Sequence, residues 1–265
     1  MIGQDKFNKK IDEFISNNRL PLFLILIGKV GIGKKTASKQ IANKLKCQCL
    51  IWGNKIDDIR DLKVIMESQD KEIIYCIPEF EAMSIGAKNS ILKICEEPPR
   101  NARIILTACT RDVILPTILG RGTVIELSDY SEAELLEISK EMNVDSSCLE
   151  FCNVPGDIEK SENLNIEEFK EFTKRVWENI KNASAGNLLK VTNKIKLKEE
   201  SNGYDLDLFI NYLMKLNGDS ETSHEKLKIY YEIMEAKRSI QLKYNKNYIL
   251  DNLLLNIRGI KNGTI

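Results

Sequence analysis

The stretch LPLFLILIGKVGIGKKT, residues 20–36, joins an apolar run to a glycine-rich segment that ends in lysines. The apolar run is typical of a buried strand, and the residues that follow have the spacing of an amphipathic helix. Glycines between a strand and a helix let backbone amides point at an anion, and the helix N-terminus adds partial positive charge. The order strand, loop and helix therefore favours a phosphate-binding loop over a glycine-rich turn without a ligand.

One position of this loop departs from the phosphate-loop pattern. The loop lysine contacts the outer phosphates, and the hydroxyl directly after it ligates magnesium, but here that place is taken by a second lysine. A helix turns by about 100° per residue, so a hydroxyl one residue later faces another direction. We expect phosphate contact without magnesium coordination. The residues predicted to contact nucleotide are Gly28, Gly31, Gly33, Lys34, Lys35 and Thr36.

A second departure lies at the end of the apolar run EIIYCI, residues 72–77. A nucleotide hydrolase carries an acidic residue at this place to support magnesium, but here it is Pro78, which has neither charge nor donor. Glu79 follows and is the candidate for a vestigial catalytic glutamate, with an exposed loop acid as the alternative. Because Lys35 and Pro78 both remove groups that would hold the same ion, we expect this chain not to hydrolyse ATP.

Composition excludes several classes of function. The 39 basic and 39 acidic residues cancel, so no overall attraction to nucleic acid or to a membrane is implied. The longest apolar run, Leu20 to Ile27, is far shorter than the roughly 20 residues of a membrane-spanning helix. The N-terminus MIGQDKFNKK has no secretory pattern. We expect a cytoplasmic protein with no membrane partner.

The seven cysteines are scattered, and several lie inside apolar runs, which favours reduced, buried thiols over a disulfide framework. Neither close pair has the two-residue gap of a common zinc site. The single histidine, His224, lies in the polar stretch GDSETSHEK and is predicted to be a solvent-exposed loop residue. No metal site is predicted.

The fold class follows from how strands and helices alternate. Residues 1–128 contain apolar runs separated by helical periodicity, which predicts an α/β domain with a parallel sheet sandwiched by helices. A small helical unit is predicted at 129–162, interrupted at NVPGD, residues 153–157. Residues 163–265 are predicted to be helical throughout, including the lysine-rich stretch KVTNKIKLK.

The stretch AKNSILKICEEPPRNARIILTACTRDVILPTILGRG, residues 87–122, resembles the clamp-loader branch of the AAA+ ATPases. There, A-x-N-A-L-L-K-x-L-E-E-P-P precedes a strand and then L-P-T-I-L-S-R-C. The start of the chain, with G-Q and then R-L-P before the loop, agrees. KYNKNYILDNLLLNI near the C-terminus resembles the closing helix of the delta-prime type of subunit. The matching residues are Ala87, Asn89, Leu92, Lys93, Glu96, Glu97, Pro98, Pro99, Leu115, Pro116, Thr117, Ile118, Leu119 and Arg121.

The resemblance implies a role for Arg121. In this family the arginine of S-R-C reaches the ATP of a neighbouring subunit, and here the motif is Gly120-Arg121-Gly122, which keeps only the arginine. A guanidinium is always charged, and its planar fork suits phosphate oxygens during phosphoryl transfer. Arg121 is thus the candidate arginine finger in trans, and a structural arginine at the sheet edge is the alternative.

Other family features are missing. The segment CNVPGDIEK has the spacing of the sensor-2 region but carries Asp157 and Lys160 instead of an arginine. The cysteine cluster that forms a zinc module in many such subunits is absent, so no zinc is expected. Arg60, in IDDIRDLKVIM, is a candidate contact with DNA or a neighbour, although a solvated helix charge is the simpler interpretation.

Taken together, the resemblance implies an AAA+ α/β module, a helical lid at 129–162 and an all-α collar at 163–265. It implies a delta-prime-like subunit of the DNA polymerase III clamp loader that helps ATP-driven loading of the sliding clamp on primed DNA. Its partners would be delta and gamma/tau-type subunits. No cofactor is required, and ATP or ADP would bind without hydrolysis. The alternatives are an active AAA+ ATPase and a stand-alone AAA+-derived interaction protein.

Overall fold

The computed structural model describes residues 1–96, 101–196, 203–219 and 223–264. The chain divides into two compact units, Met1–Glu134 and Leu135–Ile265. The finer division of the second half into lid and collar stays a prediction. The first unit contains α1 (Asp5–Ser16), β1 (Phe23–Ile27), α2 (Lys34–Leu45), β2 (Gln48–Ile51), α3 (Ile56–Glu67), β3 (Ile73–Ile77), α4 (Ile85–Glu96), β4 (Ala102–Ala108), α5 (Pro116–Leu119), β5 (Thr123–Glu126) and the start of α6 (Glu132–Glu141).

The five strands of the first unit form one parallel sheet in the order β2-β3-β4-β1-β5. Every residue of β1 and of β3 is buried, which requires helices on both faces of the sheet. One face packs its alternate strand residues against α3, α4 and α5, and α2 contacts β2, β3 and β4. The predicted α/β fold with a parallel sheet covered on both sides is confirmed.

Gly122 marks a close approach between the start of β5 and β1. A Cβ on Gly122 would lie 2.6 Å from Ile25 Cδ1 and 2.9 Å from Phe23 Cε1, which is too close for van der Waals contact. Gly120, two residues earlier, has helical φ and ψ of −70° and −14°, and a Cβ there would meet only the Pro116 carbonyl oxygen at 3.5 Å. Glycine at 122 is therefore required by packing, whereas glycine at 120 is not.

We expect Gly122→Ala to lower the free energy of unfolding by about 1–3 kcal/mol, because the methyl group overpacks the β1–β5 contact. The matched variant Gly120→Ala is expected to be neutral or to stabilise by up to about 1 kcal/mol, because it only restricts the unfolded chain. Urea unfolding of both variants checks this pair. Equal midpoints for the two variants would contradict the packing argument.

The second unit is mostly helical. Described elements after α6 are α7 (Pro155–Ser161), α8 (Ile166–Asn179), α9 (Ala185–Leu189), β6 (Ile195–Lys196), β7 (Tyr204–Asp205), α10 (Leu206–Gly218), α11 (Ser223–Gln241) and α12 (Lys246–Lys261). Short 3₁₀ turns at Ser146–Glu150 and Lys190–Lys194 complete the set. The core contains a group of contacting aromatic rings contributed by Phe151, Phe169, Phe172, Tyr204, Phe209 and Tyr212.

The prediction that everything after residue 163 is helical was wrong at β6 and β7, which pair in parallel. Residues 190–196 of the lysine-rich stretch form a 3₁₀ turn that runs into β6, not an α-helix, and the last two residues of the stretch lie outside the described residues. The physical reason is Gly203, at φ +146°, where a Cβ would lie 2.7 Å from the Lys194 carbonyl oxygen. The missing side chain lets the two backbone segments approach each other.

NVPGD interrupts the helical unit as predicted, but only at Asn153 and Val154, because α7 begins at Pro155, where the missing N–H costs nothing. Another local prediction was wrong in part. His224 is exposed as predicted but lies in the first turn of α11, not in a loop.

All seven cysteines are free thiols; five are buried, whereas Cys47 and Cys49 are half-buried. Within the described ranges, no helix combines the length and apolar character needed to cross a membrane.

The residues at the sensor-2 position are engaged in contacts within the second unit. Asp157, in α7, accepts hydrogen bonds from the Asn153 backbone N–H at 2.9 Å and from Asn211 Nδ2 of α10 at 3.1 Å. Lys160 Nζ binds Asp205 Oδ1 at 3.0 Å and Asp207 Oδ2 at 2.5 Å. Both side chains therefore tie α7 to the start and middle of α10.

Asp157 predicts a pH dependence of stability. Burial raises the pKa of its carboxyl to about 6, so the folded chain takes up a proton at a higher pH than the unfolded chain. The contribution of Asp157 to stability is then complete below the unfolded-state pKa and is lost as pH rises through about 6. The loss between pH 3.5 and pH 7 is at most about 3 kcal/mol.

We expect Asp157→Asn to remove this dependence, so that the variant gains stability relative to the parent chain as pH rises from 4.5 to 7. Urea unfolding across that range, compared with Glu159→Gln on the exposed side of α7, gives the measurement. A stability difference between Asp157→Asn and the parent chain that stays constant with pH would show that the carboxyl is not perturbed.

Candidate functional site

The glycine-rich loop lies between β1 and α2, as predicted. Its first N–H, on Gly28, donates to the Ala108 carbonyl at the end of β4 (3.1 Å). Gly31 and Gly33 have φ of 78° and 100°, a left-handed conformation that other residues adopt only with strain. Helix α2 begins at Lys34, directly after Gly33. The two lysines therefore belong to the first helical turn and not to the loop.

The two lysines have different environments. Lys34 is half-buried, and its ammonium donates to the carbonyls of Gly28 and of Lys29, the second at 2.8 Å. Lys35 is exposed. The first turn of α2 contains no acidic residue, so no carboxylate of that turn offsets the positive charge of the helix N-terminus and of Lys34. This arrangement is suited to binding an anion.

The hydroxyl groups near the loop do not replace the missing one. Thr36 is exposed in the first turn of α2. Ser38 is fully buried, and its hydroxyl donates to the Lys34 carbonyl at 3.1 Å and lies 3.4 Å from Cys76 Sγ. The Ser38 hydroxyl is thus committed to the core between α2 and β3.

The segment after β3 lies at the same edge of the sheet as the loop, because both follow the carboxyl ends of parallel strands. Pro78 directly follows β3, and Glu79 adopts a left-handed conformation at φ 57°. The Glu79 backbone N–H donates to the buried hydroxyl of Thr107 on β4 (3.2 Å), and Asn54 Nδ2 donates to the Pro78 carbonyl (3.2 Å). Two polar side chains therefore fix this strained turn in place.

The end of β4 lies between these two segments. Glu81 Oε2 accepts a hydrogen bond from the Cys109 backbone N–H at 3.3 Å. Burial and the Glu81 carboxylate raise the pKa of the Cys109 thiol, whereas nearby Lys34 lowers it. The loop lysine, Glu81 and Cys109 are therefore neighbours. The structure brings the loop and the Pro78–Glu79 turn to one edge of the sheet, as expected.

Arg121 lies at the opposite edge of the sheet. It precedes β5, and Thr123 of β5 pairs with Leu24 of β1, whereas Gly28 follows the other end of β1. Arg121 is therefore separated from the loop by about six strand residues, or about 20 Å. Its guanidinium is exposed, pairs with Glu96 Oε1 at 2.9 Å and donates to the Thr117 carbonyl at 2.8 Å. It cannot reach a ligand in the loop of its own chain.

Several supporting residues were not identified from the sequence. Glu96 belongs to the motif, but the spacing of the sequence did not predict that it pairs with Arg121. For Thr107, the sequence indicated only a place in an apolar strand. Gln4, from the G-Q at the start of the chain, exchanges two hydrogen bonds with the Ser128 backbone, at 2.6 and 2.9 Å.

Arg60 is exposed and pairs with Asp57 at 3.5 Å. The motif residues Glu97, Pro98 and Pro99 lie outside the described residues.

Comparisons with known proteins bear on the family and on the fold. Residues 52–131 match the family described as "DNA polymerase III, delta subunit". The solved structure of the RuvB Holliday junction branch migration motor from Thermotoga maritima superposes with a TM-score of 0.51 at 19% identity, covering 89% of this chain and 78% of that one. The chain has an AAA+-like fold.

Relatives in sequence include a DNA polymerase III subunit and a sliding-clamp-loader subunit. DNA polymerase III subunit gamma of Buchnera aphidicola subsp. Acyrthosiphon pisum (strain APS) is 25% identical over 171 residues, 53% of this chain and 47% of the relative. The sliding-clamp-loader large subunit of Escherichia phage RB69 is 27% identical over 175 residues, 62% of this chain and 51% of the relative. The AAA+-like chain thus spans about half the length of these two relatives.

Proposed function

We propose that this chain is a clamp-loader subunit of DNA polymerase III of the delta-prime type. Its own loop would bind ATP or ADP without hydrolysis, and Arg121 would complete the ATP site of a neighbouring subunit. Its partners would be delta and gamma/tau-type subunits and, through the assembled complex, the sliding clamp and primed DNA. The similarity of residues 52–131 to the polymerase III delta family supports this assignment.

The observation that carries the proposal is the position of Arg121. An arginine that serves its own chain's nucleotide would have to lie at the edge of the sheet where the loop lies, but Arg121 lies at the other edge. There it is exposed, within reach of another molecule. Its bond to Glu96 does not prevent such a role, because an ion pair between exposed side chains is worth only about 0–1 kcal/mol. A neighbour's phosphates can therefore compete for the guanidinium.

Binding without hydrolysis follows from what surrounds the loop. Lys34 and the α2 N-terminus are arranged for phosphate, whereas Lys35 and Pro78 occupy the places of the two magnesium-supporting groups. Glu79 remains near the loop, but without a metal it would have no activated partner for a hydrolytic step. This combination favours a bound nucleotide that stabilises the subunit and is not hydrolysed.

An exposed apolar stripe on α11 supports a role within a complex. Leu227, Tyr230, Tyr231 and Met234 follow the i, i+3, i+4, i+7 spacing of one helix face and are all exposed, Tyr231 to 64%. The opposite face of α11, with Ile229 and Ile233, is buried. A contiguous exposed patch of this kind is typical of a protein interaction site. We infer that this stripe contacts another loader subunit.

Co-expression of this chain with the delta and gamma/tau-type subunits of its own organism tests the proposal. We expect a complex of fixed stoichiometry on size exclusion, with clamp-loading activity on primed DNA that depends on this chain. The variant Tyr231→Ser with Met234→Ser is expected to weaken the assembly at least tenfold, whereas Val64→Ser, an equally exposed residue of α3, is expected to leave it unchanged.

Two outcomes would contradict the assignment. Failure of the chain to associate with either type of subunit would favour the stand-alone interaction protein. Magnesium-dependent ATP turnover by the isolated chain, lost in Lys34→Ala, would favour the active ATPase.

A further inference from the structure

Tyr130 is attached to the phosphate loop although nothing in the sequence motifs connects them. Its hydroxyl donates to the Ile32 carbonyl at 3.2 Å. Ile32 lies in the middle of the loop, between Gly31 and Gly33, and its side chain is buried. The contact therefore acts on the loop backbone and leaves the Ile32 side chain in the core.

The peptide that Tyr130 contacts adjoins a glycine. Its plane, between Ile32 and Gly33, turns through ψ of Ile32 and φ of Gly33, and Gly33 has the wide conformational range of glycine. In a trans peptide the C=O and N–H groups point in opposite directions. A donor that fixes the Ile32 carbonyl therefore also fixes the Gly33 N–H, directed away from Tyr130.

We propose that Tyr130 is a positioning residue of the phosphate loop, whose hydroxyl holds the Ile32–Gly33 peptide with its N–H turned toward the bound phosphates. The effect is preorganisation, since an amide already oriented for an anion does not have to be ordered when the ligand binds. This inference rests on the proposed binding of nucleotide phosphates by the loop.

The surroundings of Tyr130 hold its ring in place. The Gln4 side chain exchanges two hydrogen bonds with the backbone of Ser128, two residues before Tyr130. Gly3 lies against the ring, since a Cβ on Gly3 would be 2.8 Å from Tyr130 Cδ1. Burial raises the pKa of the Tyr130 hydroxyl, so it stays protonated and remains a donor at neutral pH. Asp129 pairs with Lys29 at 2.7 Å, but both are exposed and contribute little.

The variant Tyr130→Phe tests the inference, because it removes the hydroxyl and keeps the ring that packs on Gly3. The matched control is Tyr244→Phe, at an exposed tyrosine of the second unit. Two measurements are made on the full chain: amide hydrogen exchange of residues 31–34 without ligand, and binding of ADP and of inorganic pyrophosphate by calorimetry. Pyrophosphate has no base, so it separates contacts to phosphate from contacts to the rest of a nucleotide.

We expect Tyr130→Phe to speed amide exchange of residues 31–34 at least threefold and to lower the affinity for both ligands by roughly threefold to tenfold, the value of one neutral hydrogen bond. The control variant is expected to change neither. Unchanged exchange in Tyr130→Phe would overturn the inference, as would a loss of affinity confined to ADP, which would indicate a contact with the base. If the parent chain binds neither ligand, nucleotide binding as proposed fails, while amide exchange still decides whether Tyr130 holds the loop.

Discussion

Replacing Arg121 by alanine is expected to slow ATP hydrolysis at the neighbouring site of a reconstituted clamp loader by about a thousandfold, the lower end of what an arginine finger contributes. The charge that develops on the transferred phosphate would lose a guanidinium that solvent does not replace. Steady-state phosphate release from a loader in which only that neighbouring site hydrolyses ATP gives the measurement. Arg121→Lys is expected to recover little, because an ammonium lacks the planar fork.

The control for this prediction is Arg111→Ala, at an exposed arginine beyond the other end of the sheet. We expect Arg111→Ala to leave hydrolysis unchanged. Neither variant should change the unfolding midpoint of the isolated chain appreciably, since the Arg121–Glu96 pair is exposed. An Arg121→Ala loader with the parent rate would make Arg121 a structural residue that joins the α5 end to Glu96.

Replacing Lys34 by alanine is expected to weaken ADP binding by the isolated chain about tenfold to a hundredfold, the range for a hydrogen bond to a charged group. Lys34 is the half-buried cation in the first turn of α2, and its ammonium donates to the loop carbonyls of Gly28 and Lys29. Calorimetric titration with ADP measures the loss. Lys39→Ala, at an exposed position one turn further along α2, is the control and should change affinity little.

The same titration tests the expected absence of a magnesium contribution. With Lys35 in place of the hydroxyl and Pro78 in place of the acid, ADP affinity should be the same in magnesium and in EDTA. A marked gain with magnesium would mean that other groups at this edge of the sheet, with Glu79 and Glu81 as candidates, bind the ion. The interpretation of Lys35 and Pro78 would then be wrong.

Much of the first unit could be predicted from local sequence. Strands β1, β3 and β4 are apolar runs bounded by polar residues, and their burial on both faces leaves a covered parallel sheet as the natural arrangement. The loop could be predicted because its glycines, lysine and flanking elements are contiguous. The strands β6 and β7 could not be predicted, since two residues show no periodicity and their pairing depends on the space left at Gly203.

The supporting contacts of the site, like β6 and β7, could not be predicted from local sequence. Gln4 and Ser128 are 124 positions apart, and Tyr130 and Ile32 are 98 apart, so no spacing rule connects them. The left-handed turn at Glu79 also gave no signal, because its stabilising partner, Thr107, comes from another strand. Such contacts depend on which strands become neighbours, and this order is a property of the folded sheet.

The sequence by itself determined the α/β class, the glycine-rich loop between β1 and α2, and the presence of Lys35 and Pro78 at its two departures from the phosphate-loop pattern, because each of these features depends on residues that are adjacent along the chain. Only the tertiary structure decided that Arg121 and the loop lie at opposite edges of the sheet, and that Tyr130 contacts the loop backbone. The reason is physical: parallel strands place everything that follows a strand at one edge and everything that precedes it at the other. The edge of the sheet at which a residue lies therefore decides which groups its side chain can contact.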